Sequence, residues 1–192
     1  VQGFKAMTPA IMILALAWTL SGICSSDYLA LGNFVGDVVS GNAVIGVLLP
    51  ALFFAVAIGL SFSTGTSWGT FGILIPIVTS VFSTELANVA ETGEIPQMVI
   101  VCISACLAGA VCGDHCSPIS DTTIMASTGA QCDHVNHVST QLPYALTVAG
   151  VCIVGYLISG FIQNVFVVLG ISIVLMLGLM FLLRAVIGKK QN

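Results

Sequence analysis

Residues Gly113 to Thr123 read G-D-H-C-S-P-I-S-D-T-T, which sets two carboxylates and a histidine in a stretch otherwise made of small and apolar residues. Met98 to Cys112 carry no charge, and Ala126 to Ala130 resume the small, uncharged pattern. Ionisable groups at bilayer depth are costly, so they face a cavity or a partner and mark ion or proton pathways. Asp114 and Asp121 supply negative charge, and Ser117, Ser120, Thr122 and Thr123 supply neutral oxygens. Hard cations such as Na⁺ favour donors of this kind. A carboxylate withdrawn from bulk water holds its proton more tightly, so protons compete with the cation for it. One group that accepts either ion, but not both, is the minimum device for antiport. Asp121 and then Asp114 are the candidates for proton exchange, with His115 behind them. Against this stand plainer roles: Asp121 as a helix N-cap, Asp114 as a structural partner of His115, and His115 as a satisfied structural histidine.

A second polar island lies upstream. Between Ala43 and Ser83 the chain is apolar except where Ser61, Ser63, Thr64, Thr66, Ser67 and Thr70 crowd together with Gly65 and Gly69. Two apolar arms joined by such a tip make either two crossings or a re-entrant hairpin. Non-helical backbone at membrane depth is tolerated only inside protein or beside water. Hydroxyls can also simply let helices pack closely. Because each island alone offers an incomplete oxygen shell, the tip formed by Ser63, Thr64, Gly65, Thr66 and Ser67 is expected beside Asp114 to Thr123.

These islands need a membrane scaffold, and the composition supplies one. Of 192 residues, 57% are hydrophobic and 6% charged, with a mean hydropathy of +1.10, too few charges to cover a water-facing surface. The net charge is −4, and the only cations are Lys5, Arg184, Lys189 and Lys190. That excludes nucleic acid as a partner. Seven cysteines (24, 102, 106, 112, 116, 132 and 152) mostly sit in apolar segments. Their odd number and helical spacing argue for buried thiols rather than a disulfide framework. Cys132, His134 and His137 match no zinc spacing well. Asp133, His134 and His137 read instead as solvated surface groups. No cofactor, and no metal beyond transported Na⁺, is expected.

The chain starts at Val1 with no signal-peptide pattern and is expected to be a fragment or a processed piece. A first span runs from Thr8 to Ser26, followed by a Gly-rich connection from Asp27 to Asn42. Thr84 to Pro96 read as a polar loop. Gln97 to Cys112 form a helical half-span that Gly113 ends with positive φ. Pro118 removes a donor and biases Ser117 away from helical geometry. Ser120 or Asp121 then caps a new helix from Thr122 to Gly129. The expectation is a discontinuous transmembrane helix, non-helical from Gly113 to Ser120 near the bilayer midplane. Gln131 to Gln141 form a polar connection, and spans follow at Leu142 to Ile162 and Val165 to Leu183. The fold class is therefore an all-α polytopic membrane protein, one transporter repeat with a re-entrant hairpin and a discontinuous helix. Lys5 at one end and Arg184, Lys189 and Lys190 at the other put both termini on the cytoplasmic side. Four crossings, or six if the hairpin crosses fully, satisfy that parity.

The run from Gly113 to Thr123 resembles the NhaC-type sodium/proton antiporter family. So do S-T-G-A and C-D-H-V-x-H-V-x-T-Q-x-P-Y-A-L between Ser127 and Leu146, and S-T-G-T-S-W-G-T from Ser63 to Thr70. The resemblance implies a multi-pass antiporter of the ion transporter superfamily in a bacterial or archaeal inner membrane. Members have two inverted repeats, each with a re-entrant hairpin and a broken helix. By analogy, Ser63 to Ser67 form the hairpin tip and Asp114 to Thr123 the broken-helix site. Only one copy of each island is present, so the 192 residues are expected to be one transmembrane domain, the C-terminal half of a longer transporter.

The expected function is secondary active exchange of Na⁺ for H⁺ by alternating access, not enzymatic catalysis. An exchanger of small organic acids or amino acids coupled to Na⁺ or H⁺ is the alternative, since some relatives do this. No intramembrane Arg or Lys is present to grip an organic anion, which favours inorganic ions. An intramembrane aspartyl protease would need Asp114 and Asp121 to share a proton. Seven residues along one helix separate them by about 10 Å. A purely structural subunit is at odds with the ionisable core. The expected partners are Na⁺ and H⁺, the lipid bilayer, an N-terminal half and a second copy in a homodimer.

Overall fold

The computed structural model describes residues 43–89 and 93–188, with scattered residues among the first 42. The expected first span and the connection after it lie mostly outside the described residues, as do Lys5, Cys24, Lys189 and Lys190. The elements are α1 (Ala43–Thr64), α2 (Ser67–Val81), α3 (Ser83–Ala87), α4 (Gln97–Cys116), α5 (Asp121–Gly129), α6 (His134–Phe161) and α7 (Val165–Gly188). Helices α1, α4, α6 and α7 are long and apolar enough to cross a membrane. The chain is an all-α polytopic membrane protein.

Helices α1 and α4 form the centre. Phe54 and Ala57 of α1 pack with Val99, Cys102, Ala105 and Cys106 of α4, and Leu74 and Val78 of α2 close the cluster. The thiols of Cys102 and Cys106 fill it as small apolar groups. In lipid no hydrophobic force drives helices together, so close packing of small residues must do so. Gly109 and Gly113, one turn apart, provide the seats. A Cβ on Gly109 would run into the Phe54 carbonyl and lie 2.8 Å from the Ala57 Cβ. A Cβ on Gly113 would meet the Ile58 carbonyl and lie 2.9 Å from the Phe62 nitrogen.

These pairings advance in step along both helices. Farther on, the Ser117 hydroxyl donates to the Phe62 carbonyl at 2.8 Å across 55 residues of sequence, and Gly65 abuts Ile119. So α1 and α4 run parallel, and their ends arrive at one level. Helix α2 carries the chain back between them. Helix α6 runs antiparallel to both, with Gly160 against the Val47 carbonyl at one end and Gln141 against His115 at the other. Helix α7 returns along it, where Gly155 faces the Ser172 hydroxyl.

Several expectations change. Helix α4 has 20 residues, about 30 Å at 1.5 Å per residue, so it is of crossing length and not a half-span. It continues through Gly113 to Cys116, and Gly113 is absent from the positive-φ glycines. That glycine serves helix packing and does not end the helix. The break is confined to Ser117–Ser120, because proline pushes its predecessor to extended geometry, and Ser117 has φ −73° and ψ 130°. The hairpin arms are unequal: α1, with 22 residues, is of crossing length, and α2, with 15, is not. The start of the expected polar loop, Thr84 to Pro96, is helical, within α3 (Ser83–Ala87).

The polar connection is also shorter than its composition suggested, because α6 starts at His134. Helix α5 ends in a Schellman arrangement, with Gln131 at φ +54°, Gln131 N–H donating to Thr128 at 3.1 Å and Cys132 N–H donating to Ser127 at 3.1 Å. Asp133 then caps α6 by accepting from the Asn136 N–H at 2.8 Å. Thus Asp133 is exposed, as expected, but has a structural role.

Candidate ion-binding site

The level where α1 and α4 end holds both polar islands. Gly65 turns the hairpin with φ +67°, a conformation that glycine adopts without steric cost. A Cβ there would also lie 2.9 Å from the Ile119 carbonyl oxygen. We expect Gly65→Ala to suffer both strain and collision, and so to separate the tip from the break. The measurement is antiport rate against folded yield in the complete transporter, with the rate expected to fall more than the yield.

Around the tip, Ser63 donates to the Gly59 carbonyl at 2.6 Å and Thr64 to the Leu60 carbonyl at 2.8 Å. Thr66 caps α2, accepting from the Gly69 N–H at 3.4 Å, and Thr70 donates to the Thr66 carbonyl at 3.0 Å. Ser67 is buried. A hydroxyl that has donated its proton keeps lone pairs that can face a cation. Across the seam, Ser120 is fully buried and caps α5, accepting from the Thr122 N–H at 3.2 Å and lying 2.7 Å from the Thr122 hydroxyl. Thr123 donates to the His115 carbonyl at 3.3 Å, tying α5 back to α4. Ser120, and not Asp121, is therefore the cap.

The two carboxylates differ. Asp114 is 9% exposed, and its carboxylate has no hydrogen bond or ion pair among the described residues. Asp121 occupies the first position of α5 and is exposed. His115 is exposed and lines a groove of about 920 Å³ between α4 and α6, together with Gln141, Tyr144 and Cys152. Two positions along a helix is about 200° of rotation, which separates its side chain from the Gly113 face that meets α1. Geometry thus brings Gly65 and Ser117 to the seam, keeps Ser120, Thr122 and Thr123 beside the break, and turns His115 elsewhere.

Three residues with evident roles here were not among the expected site residues, and His134 had been read as a solvated surface group. Ser61 Oγ is the buried side-chain oxygen without a hydrogen-bond partner among the described residues, at the seam where Gly113 seats. Leaving such a hydroxyl unpaired costs about 1–3 kcal/mol. His134 and Gln141, both on α6, reach carbonyls beside the break. Asp133 was a readable N-cap signal for a helix holding both. The polar composition of 131–141 hid that helix.

A polytopic helical protein with a broken helix, a hydroxyl-rich hairpin and a buried unpaired carboxylate has the construction of a membrane ion transporter. The model of the Na+/H+ antiporter family matches residues 1–161. The chain belongs to that family. It is 48% identical over 161 residues, 84% of the chain and 29% of the relative, to an uncharacterised protein of Haemophilus influenzae. It is 27% identical over 147 residues to the malate-2H(+)/Na(+)-lactate antiporter of Bacillus subtilis, covering 68% of the chain and 29% of that protein. An uncharacterised Na(+)/H(+) antiporter of Haemophilus influenzae is 30% identical over 141 residues, 66% of the chain and 28% of the relative. The chain thus spans under a third of the length of these relatives in the matched stretches. No solved structure gives a significant match.

Proposed function

We propose that this chain forms part of a secondary antiporter that exchanges Na⁺ for H⁺ across a bacterial or archaeal plasma membrane by alternating access. The observation that carries the reading is the parallel seating of α1 on α4. It sets the hairpin tip against the Ser117–Ser120 break, one turn from the unpaired Asp114 carboxylate. That carboxylate, the Ser61 hydroxyl and the oxygens of Ser117, Ser120 and Thr123 are the proposed ligands. Ser63 to Ser67 and Thr122 stand at their edge. Asp114 is the proposed group that takes a proton or Na⁺ in turn, because binding an ion satisfies an otherwise unpaired charge. Asp121 is the secondary candidate. The remaining part of the transporter, outside this chain, completes the pathway. The terminal cations Lys5 and Arg184 support cytoplasmic ends.

A second reading, exchange of small organic acids or amino acids coupled to these ions, is favoured by the similarity to a malate and lactate antiporter. Dye-monitored proton flux in vesicles carrying the complete transporter separates the two, with Na⁺, K⁺, Li⁺, malate and lactate added in turn. The expected result is flux driven by Na⁺ alone. Flux that needs malate or lactate selects the second reading, and flux with none of them removes both.

A further inference from the structure

Breaking a helix orphans particular carbonyls. In an unbroken helix the His115 carbonyl would accept from the Ile119 N–H and the Pro118 carbonyl from the Thr122 N–H. Here the Ile119 N–H turns to the Ser117 hydroxyl at 3.4 Å, and the Thr122 N–H turns to the Ser120 hydroxyl. Both deserted carbonyls are met from α6. Gln141 Nε2 donates to the His115 carbonyl at 2.8 Å, and His134 Nε2 lies 2.7 Å from the Pro118 carbonyl. His134 and Gln141 are seven residues apart, two turns along one face. His134 Nδ1 is 3.0 Å from the Ser127 hydroxyl of α5, so the ring also holds the segment beyond the break. A carbonyl only accepts, hence Nε2 must carry a proton.

We propose that His134 is a positioning residue for the ion site. It fixes the Pro118 carbonyl and thereby the orientation of the Ser117–Ser120 backbone against the hairpin tip, with Gln141 acting in the same way on His115. The transport consequence rests on the antiporter reading above; the clasp itself does not.

The ring geometry suggests three variants in the complete transporter. His134→Gln places an amide N–H at the level of Nε2 and keeps the bond to Pro118. His134→Asn reaches only as far as Nδ1 and loses it. His134→Ala loses both bonds. Hydrogen exchange of purified protein, read over Ser117 to Thr123, is expected to quicken about tenfold in the Ala and Asn variants, the effect of one hydrogen bond, and to stay within about twofold in the Gln variant. In vesicles the Na⁺ concentration for half-maximal proton flux should rise several-fold for Ala and Asn at an unchanged maximum rate, with Gln restoring it. Unchanged exchange in the Asn variant, or a Gln variant as impaired as Ala, overturns the proposal. A wild-type protein without Na⁺-driven flux would instead defeat the antiporter reading, and the exchange measurement would still decide the role of His134.

Discussion

Asp114→Asn in the complete transporter should abolish Na⁺-dependent proton flux while the protein remains inserted and folded. The substitution keeps shape and removes the one property that matters, a charge with no partner in a site 9% exposed. Because no hydrogen bond or ion pair to the Asp114 carboxylate exists among the described residues, little structure depends on its charge. A neutral amide can neither carry the proton nor balance Na⁺. Asp121→Asn should retain exchange at a raised half-saturating Na⁺ concentration, since Asp121 is exposed beside the fully buried Ser120 cap. Asp133→Asn should leave exchange unchanged, because asparagine caps a helix about as well as aspartate. Proton flux in vesicles reads all three. Normal exchange by both Asp114→Asn and Asp121→Asn would move the proton site out of this chain.

The second large effect concerns packing. Replacing glycine by alanine inside a helix gains up to about 1 kcal/mol in propensity. At Gly109 and Gly113 the sign should reverse, since the new methyl would enter the α1 backbone. Overpacking of this kind costs about 1–3 kcal/mol, and Gly113→Leu should abolish folded protein. Gly59→Ala and Gly150→Ala, where a Cβ meets nothing within 4 Å, should be neutral or slightly stabilising. Thermal unfolding of the four alanine variants in detergent tests this. Equal melting temperatures across them would mean that α1 and α4 are not held by these glycines.

Much of this architecture was legible from residue type. Pro118 marked the break because its ring constrains Ser117 wherever it occurs, and the hydroxyl-rich tip marked a turn between apolar arms. Gly113 was misread for a physical reason: a glycine near a helix end can serve positive φ or close approach, and only the neighbouring helix decides which. The different burial of the two carboxylates was hidden in a similar way. Asp121 has more oxygens beside it in sequence, but burial depends on α1, 50 to 60 positions away. His134 was hidden because polar residues at the start of a long helix look like a loop, although Asp133 announced the helix. The position of the hairpin tip beside the break was a chemical expectation. What placed it there was the glycine register, which composition alone does not reveal.

That register also restricts how the molecule can move. Two glycines one turn apart, each seated on backbone, lock α1 to α4 like teeth in a rack. A slip by one helical turn, about 5.4 Å, would bring Ser117 into the seat of Gly113 in one direction, or Ala105 into the seat of Gly109 in the other, and either side chain would meet the α1 backbone. The pair should therefore travel as a single rigid rod, carrying tip and break together through the transport cycle. On the proposed antiport, opening toward either side of the membrane comes from rotation of that rod against its surroundings.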